Sequence, residues 1–383
     1  MPRVGRGQVA DQLLKRRGLG WVPVVTGTLG TVLGILGILV SLYAAEARKL
    51  LASTLSRFIA EASTVGLAVF ISCILTVLAC RWLFQAERAS RLMTRSLDIR
   101  GSALGSDVPD EDVVVGRTLK YIERRRASEE LIVCLHGLGL DADDFRPYLN
   151  ETKYHAVAMT LFGFNVEERD DQRYRPISLA TQANLVSYTI SRLQAQYPDK
   201  KLVLVGFSIG ADLLMLLSER WVSQSQDTPD VHAMLLLDPN VNHSTMNISS
   251  AIARLDLDQP LDALRSLARE ANTLIEFRNM CSYLYKITSK NLHQIRKFAI
   301  ELVQCWRDGG SFDQFLNRID AVAGVTDRVM AVFSFHYENH FNSALRAARA
   351  RGFGSDLLDC TQYDHFALMT PEVLNELVRE VLN

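Results

Sequence analysis

Between Lys201 and Leu217 the chain reads KLVLVGFSIGADLLMLL, in which an apolar run enters the pentapeptide Gly206-Phe207-Ser208-Ile209-Gly210. A G-x-S-x-G spacing requires a strand to turn sharply into a helix, with the serine hydroxyl left exposed at the turn. KLVLVG has the length and composition of a buried strand, and ADLLMLLSERWV continues as the helix after it. Any domain built around this stretch must therefore deliver a buried strand straight into a helix. Five residues are a short pattern, and their meaning depends on what surrounds them.

The surroundings alternate in the same way. RTLKYIERR predicts an edge strand, and ELIVCLHG, YHAVAMTL, HAMLLLDP, DRVMAVFSF and SDLLDC predict further strands. SLATQANLVSYTISRLQAQYP places Ala183, Leu185, Val186, Ile190 and Leu193 on one helical face and ends at Pro198. Strands that are near-continuous apolar runs, separated by helices, imply a mostly parallel sheet covered on both faces. Ligand chemistry then belongs at the carboxyl ends of the strands. His136-Gly137, Ser208 and Asp238 each follow a strand directly, and His365 lies just past the last. Between Pro239 and Asp327 the pattern is helical.

Two stretches before this domain have a different character. From Gly20 to Ala45 there is no charged residue, and a helix rising 1.5 Å per residue over about 26 residues exceeds a hydrocarbon core of ~30 Å. A second uncharged run, Ser63 to Cys80, continues through Trp82 and Phe84, with Trp82 where an interfacial aromatic belongs. The expected organisation is a basic tail at 1–19, a transmembrane hairpin at 20–84 with spans at about 20–45 and 63–84, a juxtamembrane segment and linker at 85–115, and a globular domain at 116–383. Arg3, Arg6, Lys15, Arg16 and Arg17 precede the first span, and Arg81, Arg88, Arg91, Arg95 and Arg100 follow the second. By the positive-inside rule both the N-terminus and the large domain are expected on the cytoplasmic side. Gly30-Thr31-Val32-Leu33-Gly34 permits close approach of membrane helices, either within the hairpin or in a homo-oligomer.

Composition removes other classes. A formal net charge of −1 argues against a nucleic-acid partner, which needs a basic excess over its binding domain. The six cysteines, Cys73, Cys80, Cys134, Cys281, Cys305 and Cys360, form no C-x-x-C pair and no zinc-like cluster. They read as buried thiols, and no metal or cofactor is expected.

The order of an HG turn, GFSIG, LDP after a strand and a late histidine in YDHFALM resembles the α/β-hydrolase superfamily over about Arg117 to Asn383. HGLG and GFSIGA are similar to carboxylesterases and acyl-protein thioesterases, whereas LLLDP resembles the acid site of pancreatic-type lipases. The resemblance implies Ser208 as nucleophile, His365 as general base and the N–H groups of Leu138 and Ile209 as oxyanion donors. His136 would brace the early loop, with His336 as second choice for the base. The acid is preferred at Asp238, with Glu338 after the penultimate strand as the alternative. The resemblance also implies that the helical stretch at about 240–327 forms a cap at the rim of the site, with Phe277, Tyr283, Tyr285, Phe298 and Trp306 as candidates for lining an acyl pocket. The expected activity is membrane-anchored cleavage of a carboxylic ester or thioester, on a lipid or small-molecule substrate. The alternative is a non-catalytic binding or signalling module on an oligomerising hairpin.

Overall fold

The computed structural model describes residues 66, 68–82, 91–101, 110–169, 175–224, 228–269, 274–306, 312–354 and 357–383. The chain divides into two units, Met1–Ala86 and Glu87–Asn383. In the first, residues 66 and 68–82 are helical, and Phe70, Leu75, Val77, Leu78 and Trp82 are exposed. Among the described residues no helix is long and apolar enough to cross a membrane. The first expected span at 20–45, the Gly30/Gly34 step and the loop after it lie outside the described residues, as does part of the second span.

The second unit is built on one eight-stranded sheet: β1 (Leu92–Asp98), β2 (Thr118–Arg124), β3 (Glu130–Leu135), β4 (His155–Met159), β5 (Lys201–Phe207), β6 (Val231–Leu237), β7 (Val329–Phe333) and β8 (Leu358–Cys360). The spatial order is β1-β2-β4-β3-β5-β6-β7-β8. β2 runs antiparallel to both β1 and β4, and every pair from β4 to β8 is parallel. The helices are α1 (Glu111–Val114), α2 (Arg146–Glu151), α3 (Leu179–Gln196), α4 (Ile209–Gln224), α5 (Asn247–Ala253), α6 (Pro260–Arg269), α7 (Leu274–Thr288), α8 (Leu292–Cys305), α9 (Asp313–Ala323), α10 (Glu338–Ala350) and α11 (Pro371–Leu382). α3, α4 and α9 pack side by side, and α2 pairs with α11. β3, β4, β5 and β6 are buried at nearly every position. Successive side chains point to opposite faces of a strand, so continuous burial means that both faces are covered.

β1 lies inside the stretch 85–115 that the sequence assigns to a juxtamembrane segment and linker, so the sheet begins before residue 116. It pairs with β2 over its whole length, from Leu92↔Arg124 to Asp98↔Thr118, and β2 is therefore not the edge strand expected. The missed signal was weak because LMTRSLD mixes polar residues into an exposed edge. The pairing also encloses a charge. Glu123 is buried and accepts from His155 Nε2 at 3.0 Å and Arg125 Nε at 3.3 Å, with Arg95 and the Tyr197 hydroxyl also on its carboxylate. Burial works against the charge, but His155, Tyr197 and the two arginines outweigh it and bring the carboxyl down to about 2.

Among the described residues five helices, α5 to α9, fall between β6 and β7, and the last of them, α9, packs on α4 beside the sheet. The aromatics of this stretch do not share one role. Tyr283, Phe298 and Trp306 are buried in the main core, whereas Phe277 and Tyr285 are exposed, so these five side chains do not line a common pocket. The cysteines also differ from expectation. Cys134 is buried, but Cys73, Cys80 and Cys281 are exposed, and all six are free.

Candidate active site

Ser208 sits between the end of β5 and the start of α4, with φ of 53°. This left-handed conformation is uncommon for a residue with a Cβ and is held only where the surroundings fix it. The two flanking glycines explain how the turn closes. A Cβ on Gly206 would lie 2.6 Å from the Ala211 backbone, and one on Gly210 would lie 2.4 Å from the Leu135 carbonyl oxygen. Helix and strand therefore approach more closely than any side chain at either position permits. Ser208 N–H donates to Leu237 O at 2.8 Å, which ties the turn to the end of β6.

One residue beyond Leu237, Asp238 also has positive φ, at 46°. Its Oδ1 accepts from the Ser334 N–H at 2.6 Å, and its Oδ2 is 2.7 Å from His365 Nδ1. A carboxylate can only accept, so Nδ1 carries the proton and Nε2 presents its lone pair. The His365 ring packs against Phe207 with centroids 4.6 Å apart, beside the nucleophile candidate. Asp238 and His365 are thus joined directly. No hydrogen bond joins Ser208 Oγ to His365, whose side-chain partner is Asp238. Glu338 begins α10 and is exposed. His336 is exposed and stacks on Phe335, and His340 Nε2 lies 3.0 Å from Ser244 Oγ.

The early loop is braced from below. His136 is fully buried; its Nε2 accepts from the Leu161 N–H at 3.0 Å, which leaves Nδ1–H to donate to Gly137 O at 2.8 Å. Burial first, and the charge of Lys290 second, bring the imidazole down to about 4, so it is neutral near pH 7. In a trans peptide C=O and N–H point in opposite directions. Fixing Gly137 O therefore aims the Leu138 N–H. On the opposite side Ile209 is the first residue of α4, and the first N–H groups of a helix have no acceptor within it.

Asp212 was not singled out by the sequence, although a lone acid in the apolar run ADLLMLL was a visible signal. It is fully buried, and its carboxyl accepts from Asn240 N at 3.3 Å and Asn240 Nδ2 at 2.6 Å. Burial pushes the carboxyl up to about 7, while Asn240 and Arg318 favour the charged form. The contact ties α4 to the loop that carries Asp238.

Residues 132–377 match the model of the alpha/beta hydrolase family. The chain belongs to the alpha/beta hydrolase family. No curated protein matches it. Among solved structures this alpha/beta hydrolase is similar to a thermophilic esterase from Thermogutta terrifontis with malate bound, at 14% identity over 75% of this chain and 98% of that one, TM-score 0.50. It is also similar to a variant of AqdC in complex with its substrate, studied for recognition and ring-cleavage of the Pseudomonas quinolone signal, at 15% identity over 76% of this chain and 99% of that one, TM-score 0.52. At these identities the likeness concerns the fold. The two neighbours carry out different reactions, so the reaction here must be argued from its own residues.

Proposed function

We propose that this chain is a membrane-anchored serine hydrolase that cleaves a carboxylic ester or thioester of a lipid or acylated molecule. The observation that carries the reading is the 2.7 Å contact of Asp238 Oδ2 with His365 Nδ1, made beside the strained turn that presents Ser208. In this reading His365 Nε2 takes the Ser208 Oγ proton as Oγ attacks the substrate carbonyl carbon. Asp238 holds the imidazole in the tautomer that permits this and stabilises the imidazolium that forms. The oxyanion accepts from the N–H groups of Leu138 and Ile209. As the tetrahedral intermediate collapses, the bond to the alcohol or thiol breaks, and that group leaves with the proton from His365. A water molecule, deprotonated in turn by His365, then attacks the acyl-serine, and as the resulting tetrahedral intermediate collapses the bond to Ser208 Oγ breaks, the serine takes back the proton from His365 and the acid is released.

The anchoring part rests on the uncharged runs near residues 20–45 and 63–84 and on the exposed apolar side chains of the helical residues 68–82. The basic residues that flank the runs support a cytoplasmic N-terminus and hydrolase domain. Protein that leaves membranes on carbonate washing would remove the anchoring proposal and leave the chemistry intact.

A fluorophosphonate probe tests the chemistry, because an activated serine attacks phosphorus as it attacks a carbonyl. Labelling is expected at Ser208 in folded, detergent-solubilised protein and is lost in Ser208→Ala. Absence of labelling in the wild type would favour a non-catalytic binding module on the same fold.

A further inference from the structure

Lys290 is a buried charge that the chemistry above leaves unused. Lys290 lies at the corner between α7 and α8 and is 2% exposed. Its Nζ donates to Gly139 O at 2.8 Å and pairs with Asp141 Oδ2 at 2.8 Å. Asp141 in turn caps the short turn Ala142–Phe145 by accepting from the Asp143 N–H. Beside Lys290, Ile287 lies directly on Gly139, where a Cβ would meet Ile287 Cγ1 at 2.4 Å, and Gly139 has φ of 73°. The corner is fastened on its other side too: Gln294 Oε1 accepts from Ile177 N at 2.8 Å, and its Nε2 donates to Ile177 O at 3.1 Å.

We infer that Lys290 is a positioning residue for the oxyanion hole. By holding the Gly139 carbonyl and the Asp141 carboxylate, it fixes the turn that aims the Leu138 N–H and couples seating of the cap to stabilisation of the transition state. The inference rests on the serine-hydrolase reading. His136 fixes the Gly137–Leu138 peptide through its carbonyl, and Lys290 fixes the Gly139–Leu140 peptide through its own. Between them stands Gly139, the residue type with the widest choice of backbone conformation. Without Lys290 the turn can relax about Gly139 and carry the Leu138 N–H with it. An oxyanion donor works only within about 2.7–3.1 Å of the developing charge, so a small displacement is costly. An ammonium buried without a partner is unfavourable, and Asp141 supplies the partner.

The test uses the full chain in detergent, a short water-soluble ester, and fluorophosphonate titration to count active sites. For Lys290→Met, kcat per titrated site is expected to fall about 10- to 100-fold while KM stays within about twofold, the pattern of an interaction used in the transition state. Affinity for a trifluoromethyl ketone, which forms a tetrahedral adduct, should fall in step with kcat/KM. A merely structural lysine would lower Tm or the number of titratable sites and leave kcat per site alone. A kcat per site within about twofold of wild type overturns the inference. If K290M does not fold, Asp141→Asn carries the test. It removes the charge partner but leaves the Gly139 bond, so a fall of about three- to tenfold is expected and an unchanged kcat overturns the idea. A wild-type protein that is never labelled at Ser208 is a separate result, which removes the serine-hydrolase reading itself.

Discussion

Asp238 and His365 stand 127 positions apart in the chain and 2.7 Å apart in space. The contact joins the loop after β6 to the segment after β8, across the intervening strand β7. β7 takes part as well, since the Ser334 N–H just past its end donates to the same carboxylate.

If Asp238 orients the base, Asp238→Asn keeps the shape but offers His365 the wrong partner. A fall in kcat of up to about 10⁴ is expected, as for a histidine held in the wrong tautomer. Glu338→Gln should stay near wild type. Steady-state kinetics on a soluble ester decides between them, and the reverse ranking would move the acid to Glu338.

Gly210→Ala places a methyl group against the backbone of β3, which cannot swing aside as a side chain can. Overpacking of this kind costs about 1–3 kcal/mol, and the same shift displaces the Ser208 turn. Urea unfolding of the wild type and variant should show the loss, accompanied by reduced fluorophosphonate labelling. Unchanged stability and labelling would mean that the turn tolerates a wider opening.

His136 gives a pH signature. Its ordinary value is 6.5 and its folded value about 4, so between these the unfolded chain binds a proton that the folded chain refuses. Its contribution to stability is complete above pH 6.5 and is lost as pH falls towards 4. Two to three pKa units correspond to about 3 kcal/mol. His136→Gln keeps an acceptor for the Leu161 N–H and does not titrate. The difference in Tm between wild type and H136Q should therefore shift against the wild type as pH falls from 7 to 4. Parallel Tm curves would remove His136 from the acid response.

Two truncations separate anchor from fold. Deleting Met1–Ala86 removes the first unit and leaves the sheet entire. That protein is expected to fold and to hydrolyse a short soluble ester, while turning over bilayer-embedded substrate poorly for want of effective concentration. Deleting Met1–Gly101 also removes β1 and the Arg95 partner of Glu123. It is expected to be less stable, because a buried carboxylate loses one of its compensating charges. Equal Tm values for the two truncations would count against a structural role for β1.

What the sequence determined by itself is what depends on neighbours along the chain. Continuous apolar runs of strand length, broken by helical period, specify a covered parallel sheet. G-x-S-x-G specifies the turn because Gly206 answers a local clash with the Ala211 backbone five residues on, whereas the clash that Gly210 avoids, with Leu135 of β3, is set by the tertiary fold. The helical character of 240–327 was legible for the same reason. Tertiary structure decided what depends on residues far apart. The sequence left Asp238 and Glu338 open, and the strand order brings Asp238 to His365. β1 was hidden because its pattern carries meaning only once β2 lies beside it and Arg95 meets Glu123. Nothing in the sequence around Lys290 marks it, because its partner Gly139 lies 151 positions away. A hydrogen bond or ion pair between such residues is set by packing, and hydrophobic period carries no record of it, since the partner of a polar side chain is chosen by what is buried with it.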